Sequence, residues 1–183
     1  MTVTYHTDQI LTIEGYWSRD QCKAFIEQFE QMGFEEALVN TESGPRRVEH
    51  IRNNQRIIID DKSLASEMWK ELKSSVPNQI GNSTAIGLNE RFRVYKYITG
   101  QEFKKHRDQS FIRANGEASY YTLMIYLNEG FEGGETTFPD VTIKPKTGDC
   151  LVFLHDLEHE GTKLVSGTKY VLRTDIMFRL NEE

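Results

Sequence analysis

The chain has 183 residues, 38% hydrophobic, 27% charged and 11% aromatic, which fits one globular domain large enough to bury a core without disulfides or a structural metal. Its 28 acidic and 22 basic residues leave a formal charge of -6, the wrong field for gripping a phosphate backbone, so no nucleic-acid partner is expected. The start, MTVTYHTDQILTIEGYW, lacks the basic and apolar regions of a secretory signal, and no segment is long and apolar enough to span a bilayer. A cytoplasmic protein without membrane contact is therefore the expectation. Cys22 and Cys150 are too few for a disulfide framework and read as reduced thiols inside apolar patterns.

In chain order, the first element is a helix from Ser18 to Gly33. Ser18 with Gln21 forms a capping box, Cys22, Phe25, Ile26, Phe29 and Met32 follow at helical spacing, and Gly33 is a natural stop. A loop or hairpin over Asn40 to Arg56 carries Arg46, Arg47, Arg52 and Arg56; charge of this kind usually serves solubility. A second helix starts near Asp61 or Ser63 and ends before Pro77, with Leu64, Met68, Trp69, Leu72 and Val76 as its buried stripe.

From Arg91 the pattern changes to short β-branched and aromatic runs separated by Gly, Asn and Pro turns. The runs are Arg91 to Ile98, Ser119 to Asn128, Cys150 to His155 and Lys169 to Leu180, with shorter ones at Thr136 to Phe138 and Val141 to Lys144. Many short strands in one stretch indicate a jelly roll or related barrel. The fold expected is mainly β (α+β): one domain, with residues 1–90 as a helical support region and 91–180 as the β core.

His106 and Asp108 stand two apart in KKHRDQS, so in an extended segment both side chains project to one side and can converge on a metal. His159, in HDLEHEG, would complete two histidines and one carboxylate, the facial set that leaves open positions on iron(II). Taken alone, His-x-Asp is a weak signal that polar loop residues often produce. His155 and His159 also have the spacing at which two helical histidines share zinc, but Asp156 stands where a zinc protease carries Glu and LVFLH reads as a strand. His155 is thus taken as a strand-end neighbour. Arg173 shares a mostly apolar strand face with Val171, Asp175 and Met177. Burying that charge requires an anionic partner, either Asp175 or the far carboxylate of a dicarboxylic co-substrate gripped bidentately.

The ordered array YKYITGQEFKKHRD, YLNEGFEGGETTFP, PKTGDCLVFLHDLEHEG and SGTKYVLRTDIMF resembles the 2-oxoglutarate/iron(II) oxygenase superfamily in its prolyl hydroxylase branch, closely over residues 91–180. The resemblance implies a double-stranded β-helix with the two helices packed on its outer face. It implies iron held by His106, Asp108 and His159, and 2-oxoglutarate held by Arg173 with Tyr97, Thr136 and Tyr126. It also implies O2 as co-substrate, ascorbate as reductant, and hydroxylation of an unactivated C–H bond with 2-oxoglutarate leaving as succinate. The branch favours a peptidyl proline in a peptide or protein; a free amino acid or other small metabolite is the alternative. Collagen-type and plant prolyl hydroxylases carry a lysine where Arg173 stands, followed by a tryptophan and a histidine that RTDIMFRLNEE lacks, so the co-substrate chemistry transfers and the substrate does not. Two rivals are a cupin-like binding protein without turnover and a degenerate regulatory module. Loops 40–56 and 109–117 are expected to shape substrate choice, whether or not they form a lid.

Overall fold

The computed structural model describes residues 1–36, 39–41, 44–46 and 53–181, with backbone alone for 39–41 and 44–46. Strands β1 (Thr2–Thr7) and β2 (Ile10–Glu14) precede helix α1 (Arg19–Met32). Next come β3 (Glu35–Glu36), β4 (Val39–Thr41), β5 (Gly44–Arg46), β6 (Gln55–Asp60) and helix α2 (Lys62–Leu72). Then follow β7 (Gln79–Ile80), β8 (Ser83–Leu88), β9 (Arg91–Ile98), β10 (Phe103–His106), β11 (Ala118–Tyr126), β12 (Glu132–Gly133) and β13 (Thr136–Thr137). The chain closes with β14 (Thr142–Ile143), β15 (Cys150–Leu154), β16 (His159–Gly161), β17 (Leu164–Ser166) and β18 (Thr168–Leu180).

Both helices begin where their capping chemistry puts them. Ser18 accepts from the Gln21 N–H while the Gln21 side chain accepts from the Ser18 N–H, and Asp61 accepts from the Leu64 N–H. Helix α1 stops at Gly33, whose φ of 82° suits a residue without Cβ. Cys22 and Phe29 are fully buried, but Met32, the last residue of α1, is 51% exposed. On α2, Ala65 joins Met68 and Leu72 in the buried stripe while Leu64 and Trp69 are only partly covered.

The large sheet runs β1-β2-β15-β11-β18-β9-β6-β3, with β8 pairing β18 and β7 pairing β8. A second sheet, β10-β16-β13-β14, lies against it. Period-two alternation sorts the large sheet's side chains into two cores. Leu11, Ile13, Val94, Leu123, Ile125, Val152, Leu172 and Ile176 face the helices. Ile10, Tyr95, Tyr97, Tyr126, Leu151, Phe153 and Val171 face the small sheet, together with its Phe138 and Ile143. This is the double-stranded β-helix with helices on its outer face.

Residues 1–90 are not purely a helical support: β1, β2, β3, β6, β7 and β8 extend the large sheet on both flanks. Strands that complete a sheet made elsewhere in the chain are stabilised by partners distant in sequence, which local periodicity does not report. Residues 109–117 form a pinned hairpin: the Phe111 carbonyl accepts from the Ser119 N–H at 2.9 Å, the Glu117 carbonyl from the Arg113 N–H at 2.8 Å, and Arg113 pairs with Glu117 and Glu90. Of the basic residues singled out nearby, Arg47 and Arg52 and the side chain of Arg46 lie outside the described residues, and Arg56 sits on β6 opposite Glu35. Among the described residues no helix is long and apolar enough to cross a membrane.

Candidate active site

The small sheet brings the sequence-predicted ligands together. In the antiparallel β10–β16 pair, His106 is the register partner of His159, so the two imidazoles stand side by side with ring centroids 4.3 Å apart. Phe103 stacks on His106 at 3.5 Å and Phe153 meets His159 edge-on at 4.5 Å, locking both rings in apolar surroundings. Asp108 lies just past β10, where its N–H donates to the His155 carbonyl at 3.0 Å. One carboxylate oxygen is 3.8 Å from His106 Nε2 and the other 3.8 Å from His159 Nε2. The three potential ligand atoms lie within 4.8 Å of one another.

The donor set fits a divalent ion. His106 Nδ1 meets the Lys104 carbonyl at 2.7 Å and His159 Nδ1 the Leu157 carbonyl at 2.9 Å. A carbonyl only accepts, so each Nδ1 carries the proton and each Nε2 presents a lone pair toward Asp108. Burial, and then the neighbouring His159, hold His106 down to about 4; burial likewise lowers His159. For Asp108, burial pushes upward, but Arg173, both imidazoles and the Thr122 hydroxyl outweigh it and keep the carboxyl well below the usual range. All three groups are thus in the deprotonated form a metal requires.

His155 is not in this triangle. It is buried beneath Asp108, with Nε2 2.9 Å from Ser119 Oγ and Nδ1 3.0 Å from Thr122 Oγ1.

Arg173 occupies a different place from the one expected for a far-carboxylate anchor. Its guanidinium lies 3.1 Å from Asp108, the carboxylate of the candidate metal cluster, and 3.2 Å from Asp175. The internal partner Asp175, the alternative raised by the sequence, is there. The rings of Tyr97 and Tyr126 flank Lys169 instead, a residue that the sequence pattern does not single out. Tyr97 is its register partner across β9–β18, and the ammonium sits over the Tyr97 ring at 5.4 Å and the Tyr126 ring at 5.6 Å. Tyr126 Oη and Thr136 Oγ1 are 2.7 Å apart. Lys169 Nζ donates to the Gly134 carbonyl at 2.5 Å, and burial, partly offset by Glu135, pulls the ammonium down to about 8. Lys169 and Arg173 share one strand face four residues apart, about 13 Å at the rise of a strand, so they cannot serve the same end of a five-carbon acid. The available signal was a lysine in phase with Val171 and Arg173 on an inward-facing strand.

One cavity joins these groups. His106, Asp108, His159 and Arg173 line one part of its wall, and Tyr97, Thr136 and Lys169 also face it. A cluster that could hold a metal, connected to a buried cation, suits a small dianion that chelates at one end and is anchored at the other.

The fold is a double-stranded β-helix whose inner cavity carries a cluster of two histidines and one carboxylate. Residues 92–174 match the model of the 2OG-Fe(II) oxygenase superfamily. A protein of Acanthamoeba polyphaga mimivirus named for the prolyl 4-hydroxylases is 30% identical over 143 residues, covering 67% of this chain and 57% of that protein. Prolyl 4-hydroxylase 2 of Arabidopsis thaliana is 21% identical over 194 residues, covering 86% and 63%. The chain spans little more than half the length of the first curated relatives it matches. Among solved structures, the viral collagen prolyl hydroxylase of Paramecium Bursaria Chlorella virus-1, in its 2OG complex, superposes with a TM-score of 0.64 at 22% identity, covering 93% of this chain and 96% of that one. A prolyl hydroxylase from Trichoplax adhaerens, in complex with a peptide fragment of hypoxia inducible factor, gives 0.71 at 18% identity, covering 93% and 84%. These likenesses establish the shared fold.

Proposed function

We propose that the protein is an iron(II)- and 2-oxoglutarate-dependent dioxygenase that hydroxylates an unactivated C–H bond. The observation that carries this reading is the cavity that joins the His106, Asp108 and His159 triangle to the buried Lys169 ammonium. When bound, iron(II) and 2-oxoglutarate supply the oxidative chemistry, in which O2 is consumed, 2-oxoglutarate leaves as succinate and carbon dioxide, and a substrate C–H becomes C–OH. The chain's own work is to bind, orient and exclude water.

His106 and His159 present Nε2 and Asp108 an oxygen to the metal, from a wall dried by Phe103 and Phe153. Lys169 would hold the far carboxylate of 2-oxoglutarate, with the hydroxyls of Tyr97, Tyr126 and Thr136 completing its surroundings. Arg173 would act at the metal end through Asp108. Ascorbate as the reductant that keeps the iron ferrous rests on the superfamily resemblance alone. A reducing, cytoplasmic setting is supported by Cys22 and Cys150 being free and buried.

For the substrate we infer a prolyl residue in a peptide or protein. Its support is the prolyl 4-hydroxylase character of the relatives and the peptide carried by the Trichoplax adhaerens neighbour. A free amino acid is the second reading, motivated by the absent tryptophan and histidine of the tail. Anaerobic addition of iron(II) and 2-oxoglutarate should produce the visible charge-transfer band of the chelate, and admitting O2 with substrate should yield succinate. Iron binding with neither band nor succinate would instead describe a binding protein.

A further inference from the structure

His155, excluded as a ligand, is tied to the metal site through a buried chain of hydroxyls whose proton directions are fixed by the partners. Thr122 Oγ1 has three neighbours: an Asp108 carboxylate oxygen at 2.5 Å, His155 Nδ1 at 3.0 Å and an Arg173 Nη at 3.3 Å. A hydroxyl has one proton. The ionised Asp108 can only accept and the guanidinium can only donate, so the Thr122 proton goes to Asp108 and Thr122 must accept from His155 Nδ1. That places a proton on Nδ1. The other ring nitrogen, Nε2, lies 2.9 Å from Ser119 Oγ and 4.0 Å from an Asp175 carboxylate oxygen, which hold that side of the ring. Ser119 in turn accepts from the Phe111 N–H at 2.9 Å, at the root of the pinned hairpin. From Phe111 to Asp108 the contacts form one continuous buried chain.

The end of the relay is an Asp108 oxygen that already accepts from Thr122 and lies 3.1 Å from Arg173. With that oxygen occupied, the other, 3.8 Å from His106 Nε2, is the one left free for a metal. We propose that His155 is a positioning residue that acts through Thr122 to hold Asp108 in a one-oxygen binding pose, with Ser119 holding the other side of the His155 ring. This rests on the reading of His106, Asp108 and His159 as ligands.

The test uses the metal-free chain titrated with Co2+ in the absence of O2. The ion's visible bands report its coordination directly, so no turnover is needed. His155→Leu keeps the packing and removes both hydrogen bonds. His155→Asn places its amide N–H near the Nδ1 position and can still donate to Thr122. The expected result is a Co2+ affinity about 10- to 100-fold weaker in His155→Leu, with altered visible bands, and within about threefold of wild type with unaltered bands in His155→Asn. Thr122→Val should match His155→Leu and Thr122→Ser should match wild type, which keeps the comparison decisive if either His155 variant fails to fold. Unchanged affinity and bands in folded His155→Leu or Thr122→Val, or an Asn variant as weak as the Leu one, would overturn the positioning role while leaving the ligands in place. A wild-type chain that binds no Co2+ would overturn the ligand assignment first.

Discussion

Replacing Lys169 with methionine separates the two cations that sequence reading could not tell apart. The ammonium is buried, and its fall from 10.5 to about 8 corresponds to roughly 3 kcal/mol of unfavourable burial. The sign follows from protons held. Below pH 8 the lysine is charged in both folded and unfolded chains and the full penalty applies; between pH 8 and about 10.5 the unfolded chain holds more protons and the penalty fades as pH rises. Lys169→Met should therefore stabilise the chain free of 2-oxoglutarate at pH 7. The freed Gly134 carbonyl gives back part of the gain, leaving about 1–2 kcal/mol and a melting temperature a few degrees higher. The same variant should bind 2-oxoglutarate roughly 30- to several-thousand-fold more weakly, since losing one partner of a buried charge pair costs about 2–5 kcal/mol. Wild-type affinity should itself decline as pH rises through 8. Anaerobic titration of the iron(II) protein with 2-oxoglutarate, followed at its charge-transfer band, measures both effects. An unchanged half-saturation in folded Lys169→Met, with a large loss in Arg173→Met, would return the anchor to Arg173 and refute the assignment drawn from the cavity.

Three further outcomes are expected. His106→Ala, Asp108→Ala and His159→Ala should each abolish retention of a divalent ion in equilibrium dialysis, whereas His155→Ala should still bind it, with affinity about 10- to 100-fold weaker; a dead His155→Ala beside a competent His159→Ala would break the triad. Glu117, held down to about 2 by hydrogen bonds from Arg113 and Arg179, contributes stability that is complete above the ordinary carboxylate pKa and lost as pH falls through about 2. Because Arg179 is 65% exposed, Glu117→Gln should lose only about 1–2 kcal/mol at pH 7 and nothing near pH 2; an equal loss at both pH values in denaturant titrations would contradict this. At Gly148, with φ of 84°, a Cβ would lie 1.9 Å from the Trp17 carbonyl oxygen, whereas Gly130, with φ of 85°, has open space around it. Gly148→Ala should cost about 3 kcal/mol or more and Gly130→Ala about 1–2, so equal melting temperatures would show that the Trp17 loop yields freely.

Much of this protein is legible in its sequence because the signals are local. The Ser18–Gln21 capping box and the Gly33 stop define α1 by chemistry within one turn. His106 and Asp108 announce themselves by standing two apart, and the alternation through Arg91–Ile98 and Cys150–Leu154 marks strands whose faces differ in burial. What depends on partners far along the chain is absent from such patterns. Strands β1, β2, β6 and β8 exist because a sheet assembled from later residues offers them an edge. The pairing of His106 with His159 comes from the register of β10 on β16. The same holds for the two cations of β18. Lys169 and Arg173 are in phase on one strand, and every local property that points one inward points the other inward too. Which of them meets Asp108, and which meets the tyrosines, is decided by the alignment of β18 with its neighbours: Lys169 falls opposite Tyr97, and Arg173 opposite Met124 and Arg93. Residue types and their periodicity determine which side chains enter the barrel; only the tertiary register sets how deep each one lies, because depth is a relation between strands and no single strand carries it.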